Sequence, residues 1–140
     1  MFKKLFTTLL IAGTFALTAC EANISSGSSK NKLTSAGYTV EVYSEAEAKV
    51  RIANLNYEGV SFTDAIYAEK GTGENKDLLI AIYFPSINAA DSFISKNNNE
   101  NLIMLNNFGD RNLGENLTKK VGVHNNVAYV GSVTSFAAAF

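Results

Sequence analysis

The chain has 140 residues, with 12 Lys or Arg, 13 Asp or Glu and a net charge of −1 at neutral pH. Without an excess of basic residues it lacks the positive surface expected of a nucleic-acid-binding protein. Its one cysteine excludes an intrachain disulfide.

The first nineteen residues have the pattern of an export signal. Lys3 and Lys4 give a positive start, and an uncharged stretch runs from Leu5 to Ala16. As a helix this stretch is about 18 Å long, too short for a bilayer core of about 30 Å. It has the length of the apolar region of a cleavable signal. The sequence therefore predicts a signal peptide over residues 1–19.

The signal ends in the motif Leu17-Thr18-Ala19-Cys20. This motif resembles the lipobox of bacterial lipoproteins, in which an aliphatic residue and two small residues precede a cysteine. An ordinary secretory cleavage site has small residues at positions −1 and −3, and Leu17 is too large for the second position. The resemblance implies a diacylglycerol on the Cys20 sulfur, with acyl chains such as palmitate, and cleavage between Ala19 and Cys20. An uncleaved anchor and an ordinary secreted protein are the alternatives.

Small polar residues follow the cysteine, from Glu21 to about Asn31. Such a segment buries too little apolar surface to offset the entropy lost on ordering. We therefore expect a lipidated cysteine and a flexible tether over residues 20–31. The remaining residues, 32–140, suit a single small domain.

The first half of the domain is predicted to contain both helices and strands. One helical turn is predicted at Lys32–Ala36, and alternating side chains predict a strand at Thr39–Tyr43. Ser44 has the position of an N-cap for a helix from Glu45 to about Asn56. Two strands joined by a hairpin loop are then predicted at Val60–Glu69 and Asp77–Phe84. The apolar run within the second strand indicates burial on both of its faces.

The second half continues with a helix from Ile87 to about Lys96 and a short buried strand at Leu102–Leu105. A loop at Asn106–Asn116 leads to a hairpin of two strands, Lys119–His124 and Val127–Gly131. A C-terminal helix should follow, with one apolar face made of Val133, Phe136, Ala137 and Phe140. The order β-α-β-β-α-β-β-β-α predicts an α+β fold, a two-layer sandwich of mostly antiparallel sheet with helices on one face.

Few residues have the types that catalysis or metal binding requires. His124 is the only histidine and adjoins a predicted turn, so we interpret it as a solvated turn residue. With one histidine and no free cysteine, a zinc site of the usual ligand type is excluded, and no G-x-S-x-G elbow supports a Ser-His-Asp triad. Gly71-Thr72-Gly73 is followed by a strand instead of a helix, which favours a hairpin turn over a phosphate-binding loop.

Two sets of residues with side-chain oxygens are the remaining candidates. Glu45 and Glu47 are two positions apart on a predicted helix and do not share a face. A second set offers oxygen ligands within one loop, but its spacing departs from that of a calcium-binding EF-hand. Its members are Asp110, Asn112, Glu115 and Asn116. We interpret both sets as ordinary polar residues.

These patterns predict a non-enzymatic surface lipoprotein, with a small domain that binds a ligand or assists a membrane complex. We expect no catalytic residues, metal or cofactor. The expected partners are the cell membrane, contacted on its extracytoplasmic face through the lipid on Cys20, and an unidentified protein. The alternative is an exported enzyme with a carboxylate-based or calcium-dependent site. In its Asn- and Lys-rich, Trp-free composition the domain resembles small uncharacterised lipoproteins of low-GC Gram-positive bacteria.

Overall fold

Five antiparallel strands form one sheet in a computed structural model that describes residues 23–52, 55–72, 76–103 and 119–140. The strand order is β1-β2-β3-β5-β4. Four helices accompany the sheet in these ranges. In chain order the elements are α1 Ser26–Ser35, β1 Thr39–Ser44, α2 Glu45–Arg51, β2 Asp64–Lys70, β3 Asp77–Tyr83, α3 Ile87–Ile103, β4 Lys119–His124, β5 Val127–Ser132 and α4 Val133–Ala139.

The predicted hairpins are both confirmed, and both join neighbouring strands of the sheet. In the first, Asp64 of β2 pairs with Tyr83 of β3. In the second, His124 of β4 pairs with Val127 of β5, and Asn125 adopts a left-handed φ of 54° in the turn. Asparagine tolerates this conformation better than most residues. The central strand, β3, is buried from Leu78 onward, as its apolar run predicts.

Helices cover both faces of the sheet, and this corrects the predicted number of layers. Helices α2 and α3 pack on one face, where the core includes Tyr67, Ile80 and Phe93. Helices α1 and α4 pack on the other, where it includes Leu33, Leu79 and Tyr83. The α+β class and the antiparallel sheet are as predicted, but the sandwich has three layers because successive side chains of β2 and β3 are buried on opposite faces.

Helix α1 occupies most of the segment that the sequence predicts to be a flexible tether. Ser25 caps this helix by accepting a hydrogen bond from the Ser28 backbone N–H at 3.1 Å. Within the helix, Ser29 and Leu33 are fully buried against the domain. The small polar residues therefore form a docked helix, since serine both caps a helix and fits a tightly packed contact. The folded domain includes Asn23 and does not begin at residue 32.

Helix α3 continues to Ile103 and replaces the start of the strand predicted at Leu102–Leu105. The asparagines that follow Lys96 were expected to lie beyond the helix. Asn97 is instead buried, and its side-chain amide donates to the backbone carbonyls of Phe93 and Asn56, at 3.0 and 3.2 Å. Its side-chain oxygen accepts from the Asn56 backbone N–H at 2.6 Å. These contacts keep the polar side chain inside the helical run. Residues 104 and 105 lie outside the described ranges.

Helix α4 docks with a different face from the one predicted. Ser135 and Ala139 are buried, whereas Val133 is 49% exposed and Ala137 is exposed. Phe136 is half-buried. A serine faces the sheet because its hydroxyl donates to the Leu78 backbone carbonyl at 2.8 Å. None of the helices in the described ranges is long and apolar enough to cross a membrane.

Candidate functional site at the N-terminal pole

The residues of the predicted lipidation and cleavage site, Ala19 and Cys20, lie outside the described residues. So do the candidate calcium ligands Asp110, Asn112, Glu115 and Asn116. The first described residue, Asn23, lies three positions after Cys20.

The start of the described chain is fixed at one end of the sheet by hydrogen bonds to residues far along the sequence. Asn23 donates from its side-chain amide to the Pro85 carbonyl at 2.6 Å. The Ile24 backbone N–H donates to the Asn126 side-chain oxygen at 2.7 Å, and the Asn126 amide donates back to the Ile24 carbonyl at 3.0 Å. The same amide reaches the Phe84 carbonyl at 2.8 Å. One buried asparagine therefore joins the N-terminal segment to the end of β3.

This end of the sheet is called the N-terminal pole below, and it comprises residues 23–25, 63, 85–87 and 124–126. Strand pairing places these residues together, because Asp64 pairs with Tyr83, Tyr83 with Val127, and Val127 with His124. The opposite pole comprises Lys70, Asp77, Lys119 and Ser132, at the other ends of the same strands.

A shallow cleft of about 320 Å³ opens at the N-terminal pole between the N-terminal segment and the end of the sheet. Its one charged group is Asp64, whose carboxylate accepts hydrogen bonds from the Ser26 hydroxyl and from the Thr63 hydroxyl, the latter at 3.1 Å. Its lining residues are Asn23, Ile24, Ser25, Ser26, Thr63, Asp64, Phe84 and Pro85. The lining offers a carboxylate and hydroxyls but neither a nucleophile with an adjacent base nor a cluster of metal ligands. The N-terminal segment forms one wall of the cleft, and the end of the sheet forms the other.

His124 lies at the rim of the N-terminal pole with its side chain exposed. Its ring packs against Phe136 and Phe140, with centroid distances of 5.4 and 5.2 Å. The ring thus covers an aromatic cluster at the end of α4. Across the described ranges, no three His, Cys, Asp or Glu side chains come close enough together to hold a metal ion.

The two acidic residues at the start of α2 serve the helix itself. The Glu47 carboxylate accepts from the Ser44 backbone N–H at 2.9 Å, while the Ser44 hydroxyl accepts from the Glu47 backbone N–H, which together form a capping box. The Ser44 backbone N–H and, at 3.0 Å, the Ser44 hydroxyl both donate to the Glu47 carboxylate, and these two bonds lower the pKa of Glu47. Glu45 forms an ion pair with Lys49, which lowers the pKa of Glu45. The Glu45 carboxylate also accepts from the Ser61 hydroxyl at 3.2 Å, so it joins α2 to the segment before β2, whereas Glu47 caps its own helix.

A polar network at the opposite pole was not predicted from the sequence. The Asp77 carboxylate accepts from the Tyr38 hydroxyl at 2.5 Å and from the Ser132 hydroxyl. Burial, with the Asp77 carboxylate beside it, raises the pKa of Tyr38. Ser132 in turn caps α4 by accepting from the Ser135 N–H at 2.9 Å. This network joins the start of β1 to the start of α4.

The hydrogen bonds of Asn126 and Asp77 thus form two structural junctions, one at each pole. Of the two poles, the N-terminal pole contains the residues that follow the predicted lipidation site in the sequence. Asn126 and Asp77, which build the two junctions, carry no local sequence signal beyond their positions at a turn and at a strand start. Comparison with protein-family models, with curated proteins and with solved structures finds no match to this chain.

Proposed function

We propose that this protein is a lipoprotein, anchored to the extracytoplasmic face of the cell membrane by a diacylglycerol on Cys20. Its domain is a non-enzymatic binding or accessory module. The observation that carries the proposal is the ordered series of signals at the start of the chain. A positive start, an uncharged stretch of signal length and Leu17-Thr18-Ala19-Cys20 follow one another at the spacing of a lipoprotein signal.

The chemistry of the cysteine supports the anchoring half of the proposal. Cys20 is the only cysteine, so it has no partner within the chain for a disulfide. Two acyl chains give stable membrane attachment at about 0.8 kcal/mol per buried CH₂, whereas one chain gives only marginal binding. A diacylglycerol on this single sulfur therefore suffices as an anchor.

Cleavage of the signal would also remove Lys3 and Lys4. The mature chain would then carry 10 of the 12 basic residues against 13 acidic ones.

The use of three carboxylates supports the non-enzymatic half of the proposal. Asp64, Asp77 and Glu47 all accept hydrogen bonds from neighbouring hydroxyl or backbone groups of the fold. Each carboxylate thus stabilises a cap or a junction between elements. A catalytic acid or base instead needs a hydrogen-bonding position open to substrate.

Metabolic labelling with a fatty-acid probe in the producing cell tests the proposal. The unaltered protein should incorporate the label, and Cys20→Ala should lose it because the acyl-bearing sulfur is gone. Thr18→Ala is the matched control, since it keeps a small residue inside the motif and should retain the label. Label that persists on Cys20→Ala would contradict the proposal.

A further inference from the structure

The length of chain between the predicted lipid and the folded domain is very short. Asn23 and Ile24 are held by Pro85 and Asn126, so the fold begins three residues after Cys20. Three residues span at most about 10–11 Å even when fully extended. A diacylglycerol on Cys20 would hold the N-terminal pole within this distance of the membrane surface.

The N-terminal pole has a composition that suits contact with lipid head groups. Residues 23–25, 63, 85–87 and 124–126 include no Lys, Arg, Asp or Glu. Pro85 is exposed and Ile87 is 41% exposed at the start of α3. Loss of hydration is costly for charged groups and favourable for apolar ones. Asp64 lines the cleft at this pole, and its carboxylate already accepts hydrogen bonds from the Ser26 and Thr63 hydroxyls. Apart from that carboxylate, the residues of the pole that would meet the head-group layer are uncharged, and a proline and an isoleucine are exposed among them.

The opposite pole is instead rich in charged residues, with Lys70 and Lys76 beside the start of β3 and Lys120 at the start of β4, and with Lys76 paired to Glu69 at 2.7 Å. An anionic membrane attracts such lysines, but only within a Debye length of about 8–10 Å. The seven residues of β3 span about 23 Å between the poles. With the N-terminal pole against the membrane and the strands upright, the lysines lie outside the range of that attraction.

We propose that the lipidated protein stands upright on the membrane, with its N-terminal pole pressed against the lipid head groups and Pro85 and Ile87 as its apolar contacts. This orientation rests on the proposed lipid anchor. It leaves the opposite pole, with its lysines and the Asp77 network, facing away from the bilayer. Any protein partner then meets the opposite pole or the sides of the sandwich.

The test places a fluorescent probe at each pole of the full-length, membrane-processed protein. Lipidation occupies the Cys20 sulfur, so a newly introduced cysteine is the only reactive thiol. Ile87→Cys and Thr72→Cys are both exposed positions, at the N-terminal and opposite poles respectively. Asn88→Cys, one residue further along α3, is a second probe site should Ile87→Cys unfold. The labelled proteins are reconstituted into phosphatidylcholine–phosphatidylglycerol vesicles that carry a head-group spin label.

We expect strong quenching of the probe at position 87 and little quenching at position 72. A ten-residue Gly/Ser segment inserted between Ala22 and Asn23 has a root-mean-square reach of about 20 Å together with the native linker. It should lower the quenching at position 87 and raise that at position 72, because the lysines then turn toward the anionic lipid.

Mass analysis of Cys20 separates failure of the orientation from failure of the anchor. Equal quenching at both positions, or stronger quenching at position 72, in protein that carries the lipid would overturn the orientation alone. Protein without lipid on Cys20 would overturn both proposals.

Discussion

At the scale of single residues, Asn126 joins segments that lie far apart in the sequence. Its side chain is 1% exposed and makes three hydrogen bonds, to both backbone groups of Ile24 and to the Phe84 carbonyl. Its own backbone carbonyl accepts from the Phe84 N–H at 2.8 Å. A buried polar group contributes little when paired but is expensive when its partners are left unsatisfied.

Asn126→Ala should therefore destabilise the domain by about 1–3 kcal/mol, since it leaves the Ile24 and Phe84 backbone groups without their partner. Asn88→Ala is the matched control, because Asn88 is exposed in the first turn of α3. It should change the free energy of unfolding by no more than about 0.5 kcal/mol. Chemical denaturation of both variants measures the difference, and equal stabilities would show that Asn126 does not hold the N-terminal segment.

The sequence predicts the turn at Asn125-Asn126 but not the bonds that Asn126 makes. A turn is encoded by adjacent residues, and an asparagine pair between two apolar strands is sufficient evidence for it. The partners of the Asn126 side chain are instead 42 and 102 positions away. Nothing local distinguishes this buried asparagine from Asn125 beside it. Residue-scale predictions fail here because the interaction depends on tertiary structure.

At the scale of elements, α2 is the part of the fold whose start the sequence defines best. Ser44 and Glu47 form a capping box within four consecutive residues, so the signal is local. The end of the helix is less well defined, since it stops at Arg51 instead of near Asn56. The end of α2 depends on how Ile52 and Leu55 pack into the core. The sequence alone does not specify this packing.

Ser44→Ala should lower the stability of the domain by about 0.5–2 kcal/mol near neutral pH, because it removes the cap of α2. The pKa of Glu47 is lowered in the folded state. The stabilisation from its ionised carboxylate is thus complete above the ordinary pKa of 4.5 and is lost as the pH falls through the lowered value.

Ser44→Ala removes the hydroxyl's hydrogen bond to the Glu47 carboxylate but keeps the bond from the backbone N–H. Denaturation of the unaltered protein and of Ser44→Ala across acidic pH should therefore give curves that draw closer, without meeting, as the pH falls. Ser92→Ala, at an exposed position in the middle of α3, is the control and should show no such convergence. A constant difference between Ser44→Ala and the unaltered protein would mean that the capping box is not coupled to Glu47 ionisation.

The two helices that carry core phenylalanines should respond differently to truncation. Phe93 of α3 is fully buried, with its ring centroid 5.1 Å from that of Phe84. Phe136 of α4 is only half-buried. Phe93→Ala should cost about 3–5 kcal/mol, the range of a packed core, and Phe136→Ala less than about 3 kcal/mol. Calorimetric unfolding of both variants gives the order, and a larger loss for Phe136→Ala would restore α4's predicted apolar stripe as its docking face.

At the scale of the whole molecule, the strand patterns correctly predict the α+β class. The helix patterns do not predict how many layers the fold has. The apolar run from Leu78 to Phe84 already indicates a strand buried on both faces, which requires cover on both. The missing layer is α1, whose sequence of serines, lysines and asparagine has no apolar periodicity. Leu33 is its only large buried side chain, so composition alone does not reveal that the helix docks.

Removal of the N-terminal segment tests whether α1 is part of the domain. A chain that begins at Lys30 loses the Ser25 cap, the Ser26–Asp64 contact and the bonds from Ile24 to Asn126. A chain that begins at Asn23 keeps them all. For a domain of this size each kcal/mol lost lowers the melting temperature by roughly 2–8 °C, so the shorter chain should melt at least about 2 °C lower. Equal melting temperatures would support the flexible tether predicted from the sequence.

The most direct test of the membrane anchor is the mass of the N-terminal peptide of the mature protein, purified from membranes of the producing cell. We predict a peptide that begins at Cys20, lacks residues 1–19 and carries the mass of a diacylglycerol on the cysteine sulfur. A Cys20 of unmodified mass, or a mature chain that still contains Leu17-Thr18-Ala19, would contradict the lipoprotein proposal.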